Sequence, residues 1–512
     1  MCYNHPTVNN GSGRVPNMEN IRDHGATGTG GNPTDAIQAA VDACGADGGG
    51  VVHVPPGEYR TGTVMLRSGV RLHLAGGATV RGSPDPGDYV ADGMPHRVLV
   101  GAVDAENVAI TGRGTLDCNG LAFVDENAVI DPRPGHAGPV PRDRSPDGPL
   151  FPDPDRPDCA LLFYRCSNVE IRDVCIRDSP HWTVHLLCCD GVHVHGVDVR
   201  NDLRIPNSDG INPDMSRNVR ISGCTVTAGD DAICVKASGD YPEARPCEQV
   251  TVTNCTLQSR SCGIKLGSET EYDIRNCRFS NCVVYGSNRG LGIQNRDAGV
   301  IEGVSFSDIS VETRHHTGNW WGVAEPISIT SLPRTADTDL GTLQEVRFSN
   351  VDLVGEGSIV VYADRTEPIR KLRFDGLTHR VTAGDHSGGR NEIDLRPGEV
   401  ADGIRERDLP AIYLRGVERA ELENVTIEWD GTLPYHTHAI ESEEFTDLLI
   451  DGFRGRQADA GAAVALSDGE RAIVRQCIAD PGTDLFLACD GVDGTTVADN
   501  VTDAAATAVE ID

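Results

Sequence analysis

The stretch Asn218-Val219-Arg220-Ile221-Ser222-Gly223-Cys224-Thr225-Val226 is one copy of a pattern that recurs along most of the chain. A short run of alternating apolar and polar residues follows Asn, Gly or Gln, and a second short run follows a polar or glycine turn. Alternation with a period of two is typical of strands that bury one face. Further copies begin at Asn107, Asn168, Gly191, Gln249, Gly303, Glu345, Lys371, Leu422 and Asp447.

The spacing of these runs indicates how the strands are arranged. From Val169, the equivalent valines follow at Val192, Val219 and Val250, in steps of 23, 27 and 31 residues. One such unit cannot bury its inner face alone, so successive units must stack. The pattern predicts an all-β fold, a single right-handed parallel β-helix (a solenoid). A β-sandwich or a propeller is the competing architecture, and the irregular turn length weighs against both.

The N-terminal end of the solenoid is predicted to carry a capping helix at about 34–46. Its apolar stripe consists of Ile37, Ala40, Val41 and Cys44, which recur at helical spacing. We expect Thr34 or Asp35 to cap the helix N-terminus, and the glycines at 48–50 to end it.

Three segments interrupt the repeat, at about 126–157, 313–341 and 380–410. The first is rich in Pro, Asp and Arg and is expected to be an exposed loop. In a solenoid, insertions of this kind project from one face and wall the binding cleft. No linker is visible, so residues 1–512 are predicted to form one continuous domain.

The charge balance is strongly acidic. The 512 residues carry 77 Asp and Glu against 45 Lys and Arg, a formal net charge of −32, and only Lys236, Lys265 and Lys371 are lysines. This excess disfavours nucleic acid and anionic membranes as partners. Abundant carboxylates with scarce lysine fit a protein adapted to concentrated salt, with codon bias as the alternative.

The cysteines indicate a reducing compartment. The chain has 17 Cys, no CxxC pair, and several Cys inside apolar strand-like runs, such as Cys224, Cys234 and Cys255. Small buried thiols are expected, and a zinc site is not. No basic-then-apolar leader and no apolar run of about 20 residues is visible, so the location is predicted to be cytoplasmic.

Three acidic residues, Asp209, Asp230 and Asp231, are separated by about one solenoid turn. Crowded carboxylates repel each other, and a fold seldom keeps them unless they bind a cation or move a proton. Mutual repulsion raises one pKa and leaves a proton on one member, which suits glycosidic bond hydrolysis by a carboxylic acid and a carboxylate. Neighbours on a strand face opposite ways, so a bend is required at Asp230, and Gly229 allows one.

The motifs around this trio resemble glycoside hydrolase family 28, the polygalacturonase family. The matching pieces are Asn207-Ser208-Asp209-Gly210 and Gly229-Asp230-Asp231-Ala232-Ile233, with Gly112-Arg113-Gly114-Thr115-Leu116-Asp117 and Ser179-Pro180-His181-Trp182-Thr183-Val184-His185 upstream. The resemblance covers roughly residues 20–380.

The resemblance implies an inverting hydrolase that needs no metal and no other cofactor. The family's general acid falls on Asp230, and Asp209 and Asp231 fall on the positions that hold and deprotonate the water. The implied partner is a carbohydrate, a pectin-like galacturonate or rhamnogalacturonan chain. A cytoplasmic location favours short oligosaccharides and exo attack.

Two places depart from the family pattern. The histidine of the family's Gly-His-Gly motif is replaced by Cys262, and the region of its Arg-Ile-Lys motif reads Arg289-Gly290-Leu291-Gly292-Ile293-Gln294-Asn295-Arg296-Asp297. The spacing of the cations differs, which indicates a related uronate- or rhamnose-containing glycan.

Eight residues are predicted to contact substrate, each with a structural alternative. Histidine can be buried and satisfied, tryptophan can pack in the core, and arginine is abundant in this chain. The eight are His181, His185, Asn207, Lys265, Arg289, Arg296, Trp320 and Trp321.

Two other function classes stay open. Clustered Asp residues bind calcium in a pectate-lyase-like enzyme, in which an Arg abstracts a proton. A non-catalytic glycan-binding or tailspike-like β-helix is the second alternative, although no trimer-forming end is evident. The sequence leaves the sugar, the linkage and the oligomeric state undetermined.

Overall fold

The computed structural model describes residues 17–29, 31, 33–131, 136–384, 391–397 and 403–511. Forty strands form one sheet, in which every strand pairing is parallel. The sheet coils on itself as a right-handed parallel β-helix, which confirms the predicted fold class. Strands of the first turns are Asn17–Asn20, Gly50–Val54, Gly57–Thr61, Val64–Met65, Val70–Leu74, Ala78–Gly82, Val98–Val103, Ala109–Gly112 and Thr115–Asp117.

The central turns contain the acidic trio. Their strands are Cys159–Tyr164, Ser167–Arg172, Cys175–Arg177, Trp182–Leu187, Asp190–His195, Asp198–Arg200, Ile211–Asp214, Arg217–Ser222, Thr225–Ala228, Ile233–Ala237, Cys247–Thr253, Thr256–Ser259, Cys262–Thr270, Ile274–Arg275, Arg278–Ser280, Val283–Ser287, Arg289–Asn295, Ile301–Thr313 and Ile327–Ser331.

The C-terminal turns complete the sheet. Their strands are Leu343–Gly355, Ile359–Ala363, Ile369–Thr382, Ile412–Asp430, Ile440–Asp451, Arg454–Gly455, Ala462–Ser467, Glu470–Arg475, Ile478–Ala479, Thr483–Asp490, Asp493–Ala498 and Ala505–Ile511.

The repeat seen in the sequence sets the register of the turns. Val169 pairs with Val192, Val192 with Val219, and Val219 with Val250, so equivalent residues stack directly. The residue that begins each run has a left-handed backbone, with φ of 54° at Asn168 and 56° at Asn218. Asn tolerates this conformation better than most residues, which explains its recurrence at the corner.

The interior is filled by columns of like side chains. Phe279, Phe306, Phe348 and Phe374 stack with ring centroids 4.8, 4.8 and 5.0 Å apart. All four are fully buried. The cysteines of the described residues are free thiols, and all but Cys175 are buried. The prediction of buried thiols is confirmed there, and the reducing compartment stays a prediction.

The helix Thr34–Ala46 covers the first turns and buries the predicted stripe of Ile37, Ala40, Val41 and Cys44. Its N-cap is Pro33, and no side chain caps it. The predicted cap by Thr34 or Asp35 is therefore wrong. The Thr34 hydroxyl instead accepts hydrogen bonds from Thr61 Oγ1 and the Gly62 amide, which ties the helix to the sheet.

The inserts contain more structure than the sequence predicted. Strands Val124–Ile130, Pro139–Pro141 and Leu150–Pro152 form an antiparallel sheet, so the first insert is not a plain loop. The third insert contains the antiparallel pair Glu392–Asp394 and Ile404–Glu406. Single 3-10 turns lie at Ile21–His24, Pro86–Asp88, Gly120–Phe123 and Arg142–Arg144. No helix among the described residues has the length and apolar character to span a bilayer.

Candidate active site

The structure brings the three aspartates together. Ile211 pairs with Ile233 on adjacent turns, and Asp209 and Asp231 each precede these residues by two positions. The Gly210 amide donates to the Asp231 carbonyl at 2.9 Å, so the two corners stack. Carboxylate oxygens of Asp209 and Asp231 lie within 4.8 Å of each other. The predicted stacking of Asp209 on the Gly-Asp-Asp turn is confirmed.

A bend lets both adjacent aspartates face the same space. Residues 229–232 lie outside the strands that end at Ala228 and begin at Ile233, and Asp230 and Asp231 line one cavity. Gly229 is required by close approach, because a Cβ there would lie 2.1 Å from the Ile205 carbonyl oxygen. The predicted bend is present, and the packing against Ile205 enforces glycine.

The trio lines a cavity of about 240 Å³. A wider cavity of about 700 Å³ adjoins it and shares five lining residues, Asn207, Asp230, Trp321, Arg334 and Pro397. All three inserts contribute to the wider cavity, through Ile130 and Pro149, through Trp320, and through Arg396. The prediction that the insertions wall the cleft is confirmed for the described residues.

Asp231 is held as an anion. Its Oδ2 accepts from Lys265 Nζ at 2.9 Å, and its Oδ1 accepts from Ser261 Oγ at 2.7 Å and the Cys262 amide at 3.2 Å. Burial acts to raise the pKa of Asp231, but the charges of Lys265 and Lys236 and these hydrogen bonds lower it below its usual value. This carboxylate stays ionised at neutral pH.

Asp230 and Asp209 have the opposite tendency. Burial and then the charge of Asp231 raise the pKa of Asp230 to about 6. Burial and then the charge of Asp230 raise the pKa of Asp209 well above its usual range. The site thus combines Asp231, a carboxylate that stays ionised, with Asp209 and Asp230, two carboxyl groups that bind a proton more readily. Acid–base catalysis needs this combination of an ionised and a protonated carboxyl group.

Sequence reasoning missed a second ion pair in the cavity. Lys236 Nζ lies 2.7 Å from Glu269 Oε2, and both residues line the cavity beside the trio. Burial opposes ionisation of Glu269, yet Lys236 and then Lys265 lower its pKa to about 2. The scarcity of lysine was the one available signal, because two of the chain's three lysines line this cavity. Arg334, which pairs with Asp297 at 2.8 Å, was also missed and lines both cavities.

Five of the eight predicted substrate contacts line the cavities: Asn207, Lys265, Arg289, Trp320 and Trp321. Trp321 is 37% exposed, with the Arg396 guanidinium carbon 5.2 Å from its ring centroid. Trp320 is buried, and its indole Nε1 donates to the Asp147 carbonyl at 3.0 Å. Arg289 is engaged by Glu325 and Asp394 at 3.3 Å each, so its charge is already paired.

The other three lie outside the cavities. His185 is fully buried, and its Nε2 lies 3.2 Å from Asp214 Oδ2, behind the Trp182 ring. The prediction that His185 faces the groove is therefore wrong, because Trp182 lines the groove in front of it. His181 packs beside Trp182 with ring centroids 5.4 Å apart and is not among the cavity-lining residues of the described chain.

The prediction that Arg296 contacts substrate is also wrong. It is fully buried, and its guanidinium donates to the carbonyls of Pro397, Leu395 and Asn295 at 2.6, 3.0 and 3.1 Å. These bonds satisfy the side chain and fix the 391–397 segment, whose Pro397 lines both cavities. Arg296 therefore positions the wall of the cleft and leaves substrate contact to others.

The Cys262 side chain is buried within the strand Cys262–Thr270. Its thiol donates to the Ile264 carbonyl at 3.2 Å, and burial raises the pKa of the thiol. Its contribution to the trio is the backbone amide that it donates to Asp231. The Cys262 side chain is not among the described residues that line the cavity.

Comparison with known proteins agrees with this geometry. Residues 150–318 match the model of Glycosyl hydrolases family 28, and they include all three aspartates. The trio thus lies in the segment that resembles this family. A probable polygalacturonase of Vitis vinifera is 28% identical over 294 residues, which cover 54% of this chain and 56% of that protein. An exo-poly-alpha-D-galacturonosidase of Dickeya chrysanthemi is 26% identical over 349 residues, covering 60% and 57%. The chain thus spans little more than half of these two relatives.

Solved structures share the parallel β-helix architecture of this chain. An exopolygalacturonase of Thermotoga maritima superposes with a TM-score of 0.62 at 22% identity, over 81% of this chain and 93% of that one. A family 28 exopolygalacturonase of Yersinia enterocolitica gives 0.62 at 20% identity, over 86% and 78%. At these identities the likeness establishes the fold.

Proposed function

We propose that this protein is an inverting glycoside hydrolase that cleaves pectin-like chains of the galacturonate or rhamnogalacturonan type. The observation that carries the proposal is the divided protonation of three carboxyls in one cavity, with Asp231 ionised and Asp230 titrating near 6. The family 28 match over residues 150–318 and the polygalacturonase relatives support it.

Asp230 is assigned as the general acid. Its pKa near 6 keeps a proton available under mildly acidic conditions, and the Asn207 amide donates to its Oδ2 at 3.4 Å. Protonation of the glycosidic oxygen makes the leaving sugar a neutral alcohol, which lowers the barrier to bond cleavage. Asp230 also lines the cavity wall toward the wider cleft, where a leaving sugar can sit.

Asp231 and Asp209 are assigned to the water. Asp231 carries the negative charge that takes the water's proton. Asp209 faces it within 4.8 Å from the adjacent turn and supplies a second oxygen that orients the same molecule. Attack by this water opposite to the leaving oxygen inverts the anomeric centre.

The charge of the cleft favours an acidic sugar. Arg334 and Arg396 line the wider cavity, in which Asp230 is the one carboxylate among the described lining residues, whereas Lys236 and Lys265 of the inner cavity are paired with Glu269 and Asp231. In a protein of net charge −32, this local concentration of cations offers uronate carboxylates a favourable site. The exposed face of Trp321 provides an apolar surface for a sugar ring.

We further propose exo attack. The inserts close around the cleft: Trp320 donates to the Asp147 carbonyl, and a Cβ at Gly318 would lie 2.6 Å from Gly148 Cα. Such close contact between two inserts walls one side of the cleft and favours chain ends over internal bonds. The exo-acting relative from Dickeya chrysanthemi supports the same preference.

A calcium-dependent lyase is less well supported by the same geometry. The Lys265 ammonium already pairs with Asp231 at 2.9 Å, and its charge would repel a cation bound to the same carboxylate.

The test is to incubate the purified protein with galacturonate and rhamnogalacturonan oligosaccharides and follow the fresh product by proton NMR. Inverted configuration and a new reducing end are expected. A retained anomer would contradict the mechanism, and an unsaturated product absorbing in the ultraviolet would identify a lyase.

The acidic, lysine-poor composition also leads us to propose a halophilic source and a cytoplasmic location. The free, buried cysteines of the described residues support a reducing environment. Retention of the native fold in molar KCl, with loss of stability on dilution, is the expected result for a halophilic protein, and equal stability at low salt would contradict it.

A further inference from the structure

A separate cavity of about 410 Å³ lies on the other side of the wall formed by the first two inserts. We call it the arginine cavity. Trp320 faces the catalytic cleft, while Asp147, to whose carbonyl it donates, lines the arginine cavity. The two sites share no lining residue. The arginine cavity is lined by Asp147, Arg260, Arg314, His315, His316, Thr317, Glu356 and Gly384.

Two guanidinium groups at this cavity have no carboxylate partner among the described residues. Arg260 is half-buried, its Nε is buried without a hydrogen-bond partner, and its Nη1 donates to His316 Nδ1. Arg314 is exposed, and its side chain makes no ion pair with any described residue. Burial and then the Arg314 charge lower the pKa of Arg260, whereas Asp147 and Asp202 act to raise it, so the second cation and two carboxylates all lie near this guanidinium.

The histidine between them adds no charge. His316 Nδ1 accepts from Arg260, so its Nε2 carries the proton and donates to the Gly286 carbonyl at 3.0 Å. The ring is neutral in this arrangement and holds Arg260 in place. Arg314 Nε lies 3.9 Å from where a Gly286 Cβ would be, on the same corner. The positive charge facing the cavity therefore comes from two arginines.

Carboxylates on the opposite lining limit what this cavity accepts. Asp147 Oδ2 accepts from Thr317 Oγ1 at 3.3 Å, and Glu356 Oε2 accepts from the His315 amide at 3.2 Å. They would repel a compact dianion such as phosphate, yet they accept hydrogen bonds from sugar hydroxyls. A volume of about 410 Å³ lies within the ordinary range of small-molecule sites.

We propose that the arginine cavity is a second binding site for a uronate, distinct from the catalytic cleft. The sugar carboxylate pairs with Arg260 and Arg314, and its hydroxyls donate to Asp147 and Glu356. The choice of a uronate rests on the proposed function, whereas the presence of an acidic-sugar site rests on two arginines that form no ion pair with a carboxylate of the described residues. The site gives the protein a second point of attachment for an acidic glycan.

Calorimetric titration with free galacturonate tests this site in an Asp230→Asn background, which prevents turnover of any contaminating oligomer. Two binding events are expected, and galactose, which lacks the carboxylate, should reproduce neither. Adding Arg314→Gln should weaken one event by about tenfold or more, because a charge-assisted pair is lost. Arg220→Gln makes the same charge change on an exposed strand outside the three cavities and should leave both events unchanged.

Arg314 is exposed, so its substitution leaves the core intact. Arg260→Gln is a second variant of the same site and should weaken the same binding event. Equal isotherms for the parent and both variants would overturn the proposal. Sulfate competing as strongly as galacturonate would also overturn it, by revealing a general anion site. If uronate binding depends on Arg314 but the unaltered protein hydrolyses no oligosaccharide, the proposed function alone is refuted. If the unaltered protein hydrolyses oligosaccharides but Arg314→Gln leaves the isotherm unchanged, this site alone is refuted.

Discussion

Two columns of stacked residues run through this molecule, one inside the solenoid and one on its outer face. The inner column repeats a single side chain through Phe279, Phe306, Phe348 and Phe374. The outer column changes chemistry at every turn, from Asp209 to Asp231, Cys262 and Arg289, although its register is as regular. The comparison shows that the stacking of turns fixes where a side chain lies and leaves its chemical type free to vary. Repeated phenylalanines stabilise the fold in the inner column, and different polar side chains form the site in the outer column.

The largest effect is expected in the inner column. Phe306→Ala should lower the free energy of unfolding by about 3–5 kcal/mol, because it leaves a cavity between two stacked rings. Urea denaturation measures the loss. Tyr285→Ala, at an exposed aromatic, is the control and should cost less than about 1 kcal/mol. Similar losses in both variants would remove the distinction between the columns.

In the outer column, Asp230→Asn should lower kcat by at least about 100-fold, equivalent to about 2.7 kcal/mol in the barrier, with the fold intact. Turnover of a galacturonate oligosaccharide gives the measurement, and circular dichroism checks the fold. Asp190→Asn removes a carboxylate from a surface pair with Arg217 and should leave kcat unchanged. Near-normal turnover of the Asp230 variant would reject its role as the acid.

The pH profile tests the same assignment without mutation. The acid must be protonated, and the pKa of Asp230 lies near 6, so kcat should fall about tenfold per pH unit above that value. The base is Asp231, whose pKa is lowered, so activity should persist to below pH 4 before it is lost. Steady-state rates from pH 3 to 9 measure both limbs. Flat activity through pH 8 would be incompatible with this acid.

Lys265→Met should move the acidic limb of that profile upward by about 1–3 pH units, because Asp231 loses its cation and binds a proton more readily. The alkaline limb should move up as well, because the Lys265 charge also lowers the pKa of Asp230 and that effect is lost in the variant. An acidic limb that stays in place would show that Lys265 does not hold Asp231 ionised.

The smallest effect is expected at the third lysine. Lys371 pairs with Glu345 at 2.7 Å, but both side chains are about half exposed. Lys371→Gln should change the free energy of unfolding by less than about 1 kcal/mol and leave the pH profile untouched. A shift of the pH profile comparable to that of Lys265→Met would mean that exposure does not separate the two ion pairs.

Much of the fold was predictable because it repeats. The valine spacing predicted the stacked turns, and the Ile37–Cys44 stripe predicted the helix Thr34–Ala46. The helix cap was predicted wrongly, because Thr34 bonds across to Thr61 and Gly62, residues remote in sequence. The antiparallel strands of the first insert were missed, since its proline-rich sequence has no alternating pattern.

At the site, the aspartates were predictable from motif and spacing, and the surrounding layer was not. His185 and Arg296 belong to residue types that often bind acidic sugars. In the structure His185 lies behind Trp182, and the Arg296 guanidinium donates its hydrogen bonds to backbone carbonyls. Lys236 and Glu269 were overlooked because no local pattern joins residues 33 positions apart.

The sequence by itself determined the solenoid, its stacking register and the identity of the acidic trio, because each depends on a period that can be read along the chain. Only the tertiary structure decided which cations neutralise which carboxylates, which aromatic residue faces the cleft, and which two arginines form no ion pair with a carboxylate of the described residues. Those outcomes depend on distances between turns and inserts, and a charge or a ring acts on whatever lies within a few ångströms, however far away it is in the sequence.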